Sequence, residues 1–147
     1  MKVKKRNDTI SKCKKRIQDL LKRFVRARYG RCLAETYGEC SGVLSADHIV
    51  GRTKSRTYWL PLNVVSLCMR HHLYWKPSHS GYWADEVQAL IGKETWDHLH
   101  LLGRPTCDYP LWKWQINEQW LHDLVVENEH GVFLPLTDGS EVRYALD

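Results

Sequence analysis

The chain has 147 residues, 43% hydrophobic and 27% charged, the make-up of one ordinary globular domain able to bury its own core. It holds no apolar run of membrane-spanning length and no apolar stretch behind its basic N-terminus. Neither a transmembrane helix nor a secretory signal is therefore expected, and the expected compartment is the cytoplasm or nucleoid. The net charge of +5 is uneven: residues 1–31 hold thirteen Lys and Arg against Asp8 and Asp19, a local +11, and the rest is net −6. Such a local basic face fits an arm that neutralises phosphates, and it also fits a solvated tail; charge alone does not separate the two.

Residues 1–8 read as a frayed end. Asp8 or Thr9 can cap a helix that runs to Gly30, a residue suited to ending it. Ile10, Cys13, Ile17, Leu20, Leu21, Phe24 and Val25 recur at helical spacing, which leaves Lys14, Lys15, Lys22, Arg23 and Arg26 facing outward. The stripe lacks the bulky aromatics of a helix that lies on a membrane surface. Turn residues fill Cys32–Gly42. VLSADHIV reads as a strand, GRTKSRTYWLPL as a polar loop closing on Pro61, NVVSLC as a second strand, and MRHHLYWK as a helix stopped by Pro77. Three helical stretches follow. Trp83, Val87 and Leu90 would face inward in the first, Trp96, Leu99 and Leu102 in the second, and Trp114, Trp120, Leu121, Leu124 and Val125 in the third. The ending, residues 131–147, reads as a hairpin about Asp138-Gly139 or as a loose tail.

The five cysteines are an odd number in a chain with no secretory signal, which argues against a disulfide framework and leaves thiols for metal. Cys68 and His71 are three residues apart, on one face of a helical turn, and Cys32 and Cys40 bracket a turn upstream. Together they form a Cys3His set suited to structural zinc; the plain alternative is four side chains that never meet. His72, next along the helix, points about 100° away from His71 and cannot readily serve the same ion. Two sites on one helix are the consequence, and the strand carrying Asp47 and His48 is the natural partner of the second.

Asp47-His48-Ile49, Asn63-Val64, Leu67-Cys68 and His71-His72 resemble the ordered pattern of the HNH, or ββα-metal, nucleases. His71 stands where many members have a zinc-binding cysteine, and Cys32 and Cys40 are more widely spaced than usual. The residues after the motif are similar to a helical extension of phage-type members, including NinG-like recombination proteins. The motif covers about a third of the chain, and with the extension about half.

The resemblance implies an α+β protein. A basic arm and helix (1–30) would be followed by a zinc-stapled ββα core (31–77), a helical extension (78–130) and the tail (131–147). It implies a metal-dependent DNA endonuclease, phage or prophage encoded, yielding 5′ phosphate and 3′ hydroxyl ends. His48 would be the general base, and Asp47 and His72 would hold one Mg²⁺ or Mn²⁺. Asn63 would complete that shell or fix the His48 tautomer, and Arg52 would clamp the phosphate. DNA is the expected partner, with phage packaging or recombination proteins as further ones. A nuclease for branched DNA in recombination and a zinc-stabilised DNA-binding module without cleavage are the alternatives. His98, His100, His122 and His130 read as helix-surface residues, and Cys13 and Cys107 as free thiols. The tryptophans read as core, with Trp59 and Trp75 placed to reach a substrate.

Overall fold

The computed structural model describes residues 7–131, so the expected C-terminal hairpin lies outside the described residues. Helix α1 (Ile10–Arg28) starts at Thr9, whose Oγ1 accepts the Lys12 amide at 3.2 Å, and ends at Gly30, whose φ of 67° lets its amide turn back to the Val25 carbonyl. Its buried face is Cys13, Ile17, Leu20, Leu21, Phe24 and Val25. Each large side chain of that stripe contributes about 2 kcal/mol through area removed from water. Ile10 departs from the expected stripe and is 41% exposed.

Strand β1 (Leu44–His48) pairs antiparallel with β2 (Val64–Cys68), in a register that sets Asp47 opposite Val65 and His48 opposite Val64. Both expected strands form. The connection between them is not the polar surface loop expected. It contains the short helix α2 (Ser55–Tyr58) and a 3-10 turn at Pro61–Asn63, and Thr57, Trp59, Leu60 and Leu62 are buried. Polar composition misled here because Asn63 satisfies the buried backbone from within.

After β2 the chain enters a helical turn of π type at His71–Trp75, closed by the Lys76 amide on the His71 carbonyl, and runs into α3 (Lys76–Ser78). Pro77 therefore lies inside the helical run instead of stopping it. The wide turn relieves what a proline would otherwise break, a carbonyl clash and a missing donor. Then come α4 (Ser80–Ile91), α5 (Lys93–Leu102) and α6 (Leu111–Glu129). In α4 the inward residues are Trp83, Val87 and Ile91, while Leu90 is 44% exposed; the expected phase was one residue short at that end. Trp96 and Trp120 are only partly buried, and the other inward positions stand as expected.

Helix α1 packs on α6 and across the sheet, and one hydrophobic core joins Ile17, Leu21 and Phe24 to Val64, Leu67, Trp59, Leu99, Trp114 and Leu121. The architecture is α+β, a two-stranded sheet among helices. Among the described residues no helix is long and apolar enough to cross a membrane.

Candidate functional site

The Cys32, Cys40, Cys68 and His71 ligand atoms all lie within 4.8 Å of one another. His71 Nδ1 is 3.4 Å from Cys32 Sγ, 3.5 Å from Cys40 Sγ and 3.1 Å from Cys68 Sγ. Tetrahedral zinc with its usual bond lengths would separate S and N by about 3.6 Å, so the cluster has the dimensions of a closed zinc site and could hold a metal ion. The backbone prepares it: the Cys68 amide donates to Cys32 Sγ at 3.3 Å, and the His71 amide to Cys68 Sγ at 3.4 Å. Such donors favour thiolate. Desolvation, then neighbouring thiols, pushes Cys40 up to about 12, and desolvation likewise raises Cys32. In Cys68 desolvation is outweighed by amide donors from His71 and Ser41, and the thiol is lowered. Three crowded thiols of this kind give up their protons to a cation.

Gly42 brings the Cys40 turn back into β1. Its φ is 79°, and a Cβ there would stand 2.9 Å from Met69 Cβ, so any side chain would push the turn off the residue that follows Cys68.

The second constellation lies on the other side of the same helical turn. Asp47 is 1% exposed, and its Oδ1 lies 3.3 Å from His72 Nε2. The tautomer of His72 can be derived. Ser45 Oγ donates its single proton to the Leu67 carbonyl at 2.9 Å, so toward His72 Nδ1, also at 2.9 Å, it can only accept. Nδ1 therefore carries the proton. Burial lowers the His72 pKa, against the pull of Asp47, so the ring is neutral near pH 7 and Nε2 bears a lone pair. A carboxylate oxygen and an imidazole lone pair thus face each other at 3.3 Å, close to the roughly 3.0 Å between neighbouring ligands of an octahedral Mg²⁺. Two acceptors this close need positive charge beside them, from an ammonium or from a metal ion.

Two further residues complete the shell of Asp47, and the sequence reading missed both. Lys76 Nζ is 2.5 Å from Oδ1, and the Trp83 indole donates to Oδ2 at 2.8 Å. Lys76 is four residues beyond His72, a spacing that could have been noticed. Trp83 arrives through α4, and no local pattern announces it.

His48 is 6% exposed, and its Nε2 is 2.9 Å from the Tyr58 carbonyl. Because a carbonyl only accepts, Nε2 holds the proton and Nδ1 is the basic nitrogen. Nδ1 is buried and has no hydrogen-bond partner among the described residues. Burial is the chief cause that lowers the pKa of His48 to about 4, with Arg52 and Lys76 adding to it and the Tyr58 carbonyl and Asp47 opposing it. Arg52 itself is exposed on the turn after β1.

Asn63 directs its side-chain hydrogen bonds to neither the His48 ring nor Asp47. Its Oδ1 accepts the Val50 amide at 2.8 Å, and its Nδ2 donates to the Val50 and Thr57 carbonyls at 3.1 and 3.0 Å. It pins the loop that delivers the Tyr58 carbonyl to His48 and is a positioning residue.

The five basic residues of α1 are not equally available. Arg23 is paired with Glu129 at 2.5 Å, Arg26 Nε donates to the Leu44 carbonyl at 3.3 Å, and Lys14 Nζ lies 4.8 Å from the centre of the Tyr58 ring. Lys15 is exposed and Lys22 half-buried. Trp59 and Trp75 are 1% and 7% exposed and belong to the core, the reading expected of the tryptophans, which leaves neither open to a substrate. Cys13 and Cys107 are free thiols, and His98, His100, His122 and His130 are exposed. No family model, no curated protein and no solved structure matches this chain.

Proposed function

We propose that this protein is a metal-dependent DNA endonuclease of HNH type, with structural zinc at Cys32, Cys40, Cys68 and His71. The observation that carries the reading is the paired placement of Asp47 Oδ1 and His72 Nε2 at 3.3 Å, beside a strand end where His48 keeps a basic nitrogen with no partner among the described residues. An unpartnered buried lone pair costs about 1–3 kcal/mol, and a protein retains one where it has a use.

Asp47 and His72 would hold the divalent ion, which when bound supplies positive charge to the scissile phosphate and the leaving 3′ oxygen. His48 Nδ1 would take a proton from the attacking water while Nε2 keeps its own on Tyr58, so the ring is already in the right tautomer. The attack forms a phosphorus–oxygen bond and breaks the one to the 3′ oxygen, which takes a proton from water, leaving 5′ phosphate and 3′ hydroxyl, and Nδ1 returns its proton to solvent. A base with a pKa of about 4 is a weak one. Admitting water to Nδ1 removes much of the burial that lowers it, so opening the site also strengthens the base. Arg52, exposed on the adjoining turn, would engage the phosphate, and Lys15 and Lys22 on α1 the flanking backbone.

The Lys76–Asp47 pair favours a second reading, a zinc-stabilised DNA-binding module that does not cut, since a carboxylate satisfied by lysine needs no ion. One experiment separates them. Supercoiled plasmid, linear duplex and a four-way junction are incubated with the protein in Mg²⁺ or Mn²⁺, beside His48→Ala. The endonuclease reading expects cleavage by the wild type and a loss of at least 100-fold in the variant. Binding without cleavage supports the module, and preference for the junction supports a recombination nuclease.

A further inference from the structure

The Asp47 carboxylate is sealed at 1% exposure, and a charge so placed must be balanced. The balancing cation is Lys76. Its Nζ lies 2.5 Å from Oδ1, and it also sits 4.2 Å from the centre of the Trp83 ring. Oδ1 is the same oxygen that faces His72 Nε2. An ion shared by Asp47 and His72 would bind this same Oδ1 at about 2.0–2.2 Å, beside an ammonium that already holds it. Two cations on one carboxylate oxygen repel each other, and each weakens the other's hold.

We propose that Lys76 is an intramolecular competitor for the divalent ion at Asp47, so that metal loads only as the ammonium swings off Oδ1. The inference rests on the reading of Asp47 and His72 as an ion site, and it adds a residue that sets how tightly that site binds. Three features make the exchange feasible. Lys76 is carried on the helical run that also carries His72, so the anchor point need not move. Its side chain is 25% exposed, and its four-carbon stem can carry the charge into solvent without repacking the core. The Trp83 indole N–H stays on Oδ2 at 2.8 Å, which holds the carboxylate in the same orientation whichever cation it faces. The consequence is a site that is charge-balanced when empty of metal and binds the ion more weakly than its ligands alone would.

The test is direct Mn²⁺ binding to the full zinc-loaded chain, read by the electron paramagnetic resonance signal of free Mn²⁺, with no DNA present. Lys76→Met removes the charge and keeps the aliphatic bulk. It should bind Mn²⁺ at least 10-fold more tightly than the wild type, and Lys76→Arg should bind no more tightly than the wild type. Adding His72→Ala to Lys76→Met should abolish the gain. Without metal, Lys76→Met leaves Asp47 unbalanced, so its Tm should fall and Mn²⁺ should restore it, with a larger rise than in the wild type. Should Lys76→Met fail to fold, Lys76→Gln keeps a hydrogen bond to Asp47 without charge and should show the same tightening. Equal or weaker Mn²⁺ binding by folded, zinc-replete Lys76→Met or Lys76→Gln than by a binding wild type would overturn the competition alone. No Mn²⁺ binding by any form would overturn both it and the metal-dependent reading of the site.

Discussion

His71 and His72 are consecutive in the chain, yet Nδ1 of the first lies 3.1 Å from Cys68 Sγ and Nε2 of the second 3.3 Å from Asp47 Oδ1. The π-type turn at His71–Trp75 places one ring in each cluster, so the Cys3His set and the polar set share a backbone. Loss of the first should disturb the second. Cys68→Ser is expected to lose its zinc, measured by atomic emission, and to lose about 3–5 kcal/mol of stability in urea titration. His71→Cys, which keeps four tetrahedral donors, should retain close to one zinc per chain.

Asn63 makes three hydrogen bonds to the backbone of Val50 and Thr57, all buried. Asn63→Ala would orphan one amide and two carbonyls, and the expected cost in urea unfolding is about 3 kcal/mol or more. Asn63→Asp keeps the acceptor for the Val50 amide but points a carboxylate oxygen at two carbonyl oxygens, and should be no better tolerated. Both variants should also lower any cleavage activity, since the Tyr58 carbonyl that orients His48 rides on this loop.

Local chemistry made much of this legible. Thr9 and Gly30 bound the first helix as their types require, the two strands pair from Leu44 to Cys68, and the Cys3His set converges. What could not be read was whatever depends on partners distant in sequence. The segment between the strands looked like a solvated loop because its polar residues give no sign that Asn63 satisfies them internally. Pro77 looked like a stop because a widened turn is not written in propensity. Helical spacing points Leu90 inward although Ile91 is the buried one, since neighbouring apolar residues at a helix end leave the phase open. Lys76 and Trp83 reach Asp47 only after α3 and α4 fold back on the sheet, so the shell of the buried carboxylate was half hidden.

The basic helix should bind DNA through a few residues, not all of them. Glu129 already holds Arg23, whereas Lys15 and Lys22 have no ion-pair partner among the described residues. Replacing both lysines with Gln should reduce the slope of log affinity against log salt by about 2 and weaken binding to all sequences alike. Arg23→Gln should change the slope by less. Fluorescence anisotropy with a labelled duplex across a range of salt concentrations measures both. Equal slopes for the double variant and the wild type would remove this face from the interface.

Burial holds His48 at a pKa of about 4 in the fold, against 6.5 as an unperturbed group. The sign follows from linkage. Between those two values the unfolded chain binds a proton that the folded one refuses, so stability rises with pH across the window and is lost as pH falls through it. The contribution of this one ring is roughly 3 kcal/mol at pH 7 and should have largely vanished near pH 4. His71 and His72 are also lowered by burial, and any metal held by the Cys3His set would be released by acid, so the wild-type curve contains more than one group. His48→Gln isolates the ring, because it cannot take up a proton in this range and can still donate to the Tyr58 carbonyl. Urea titrations of both proteins at intervals from pH 7 to pH 4.5 should give curves that converge on acidification, the wild type losing about 2–3 kcal/mol more than the variant. Parallel curves would mean that Nδ1 is open to water and protonates freely in the folded state.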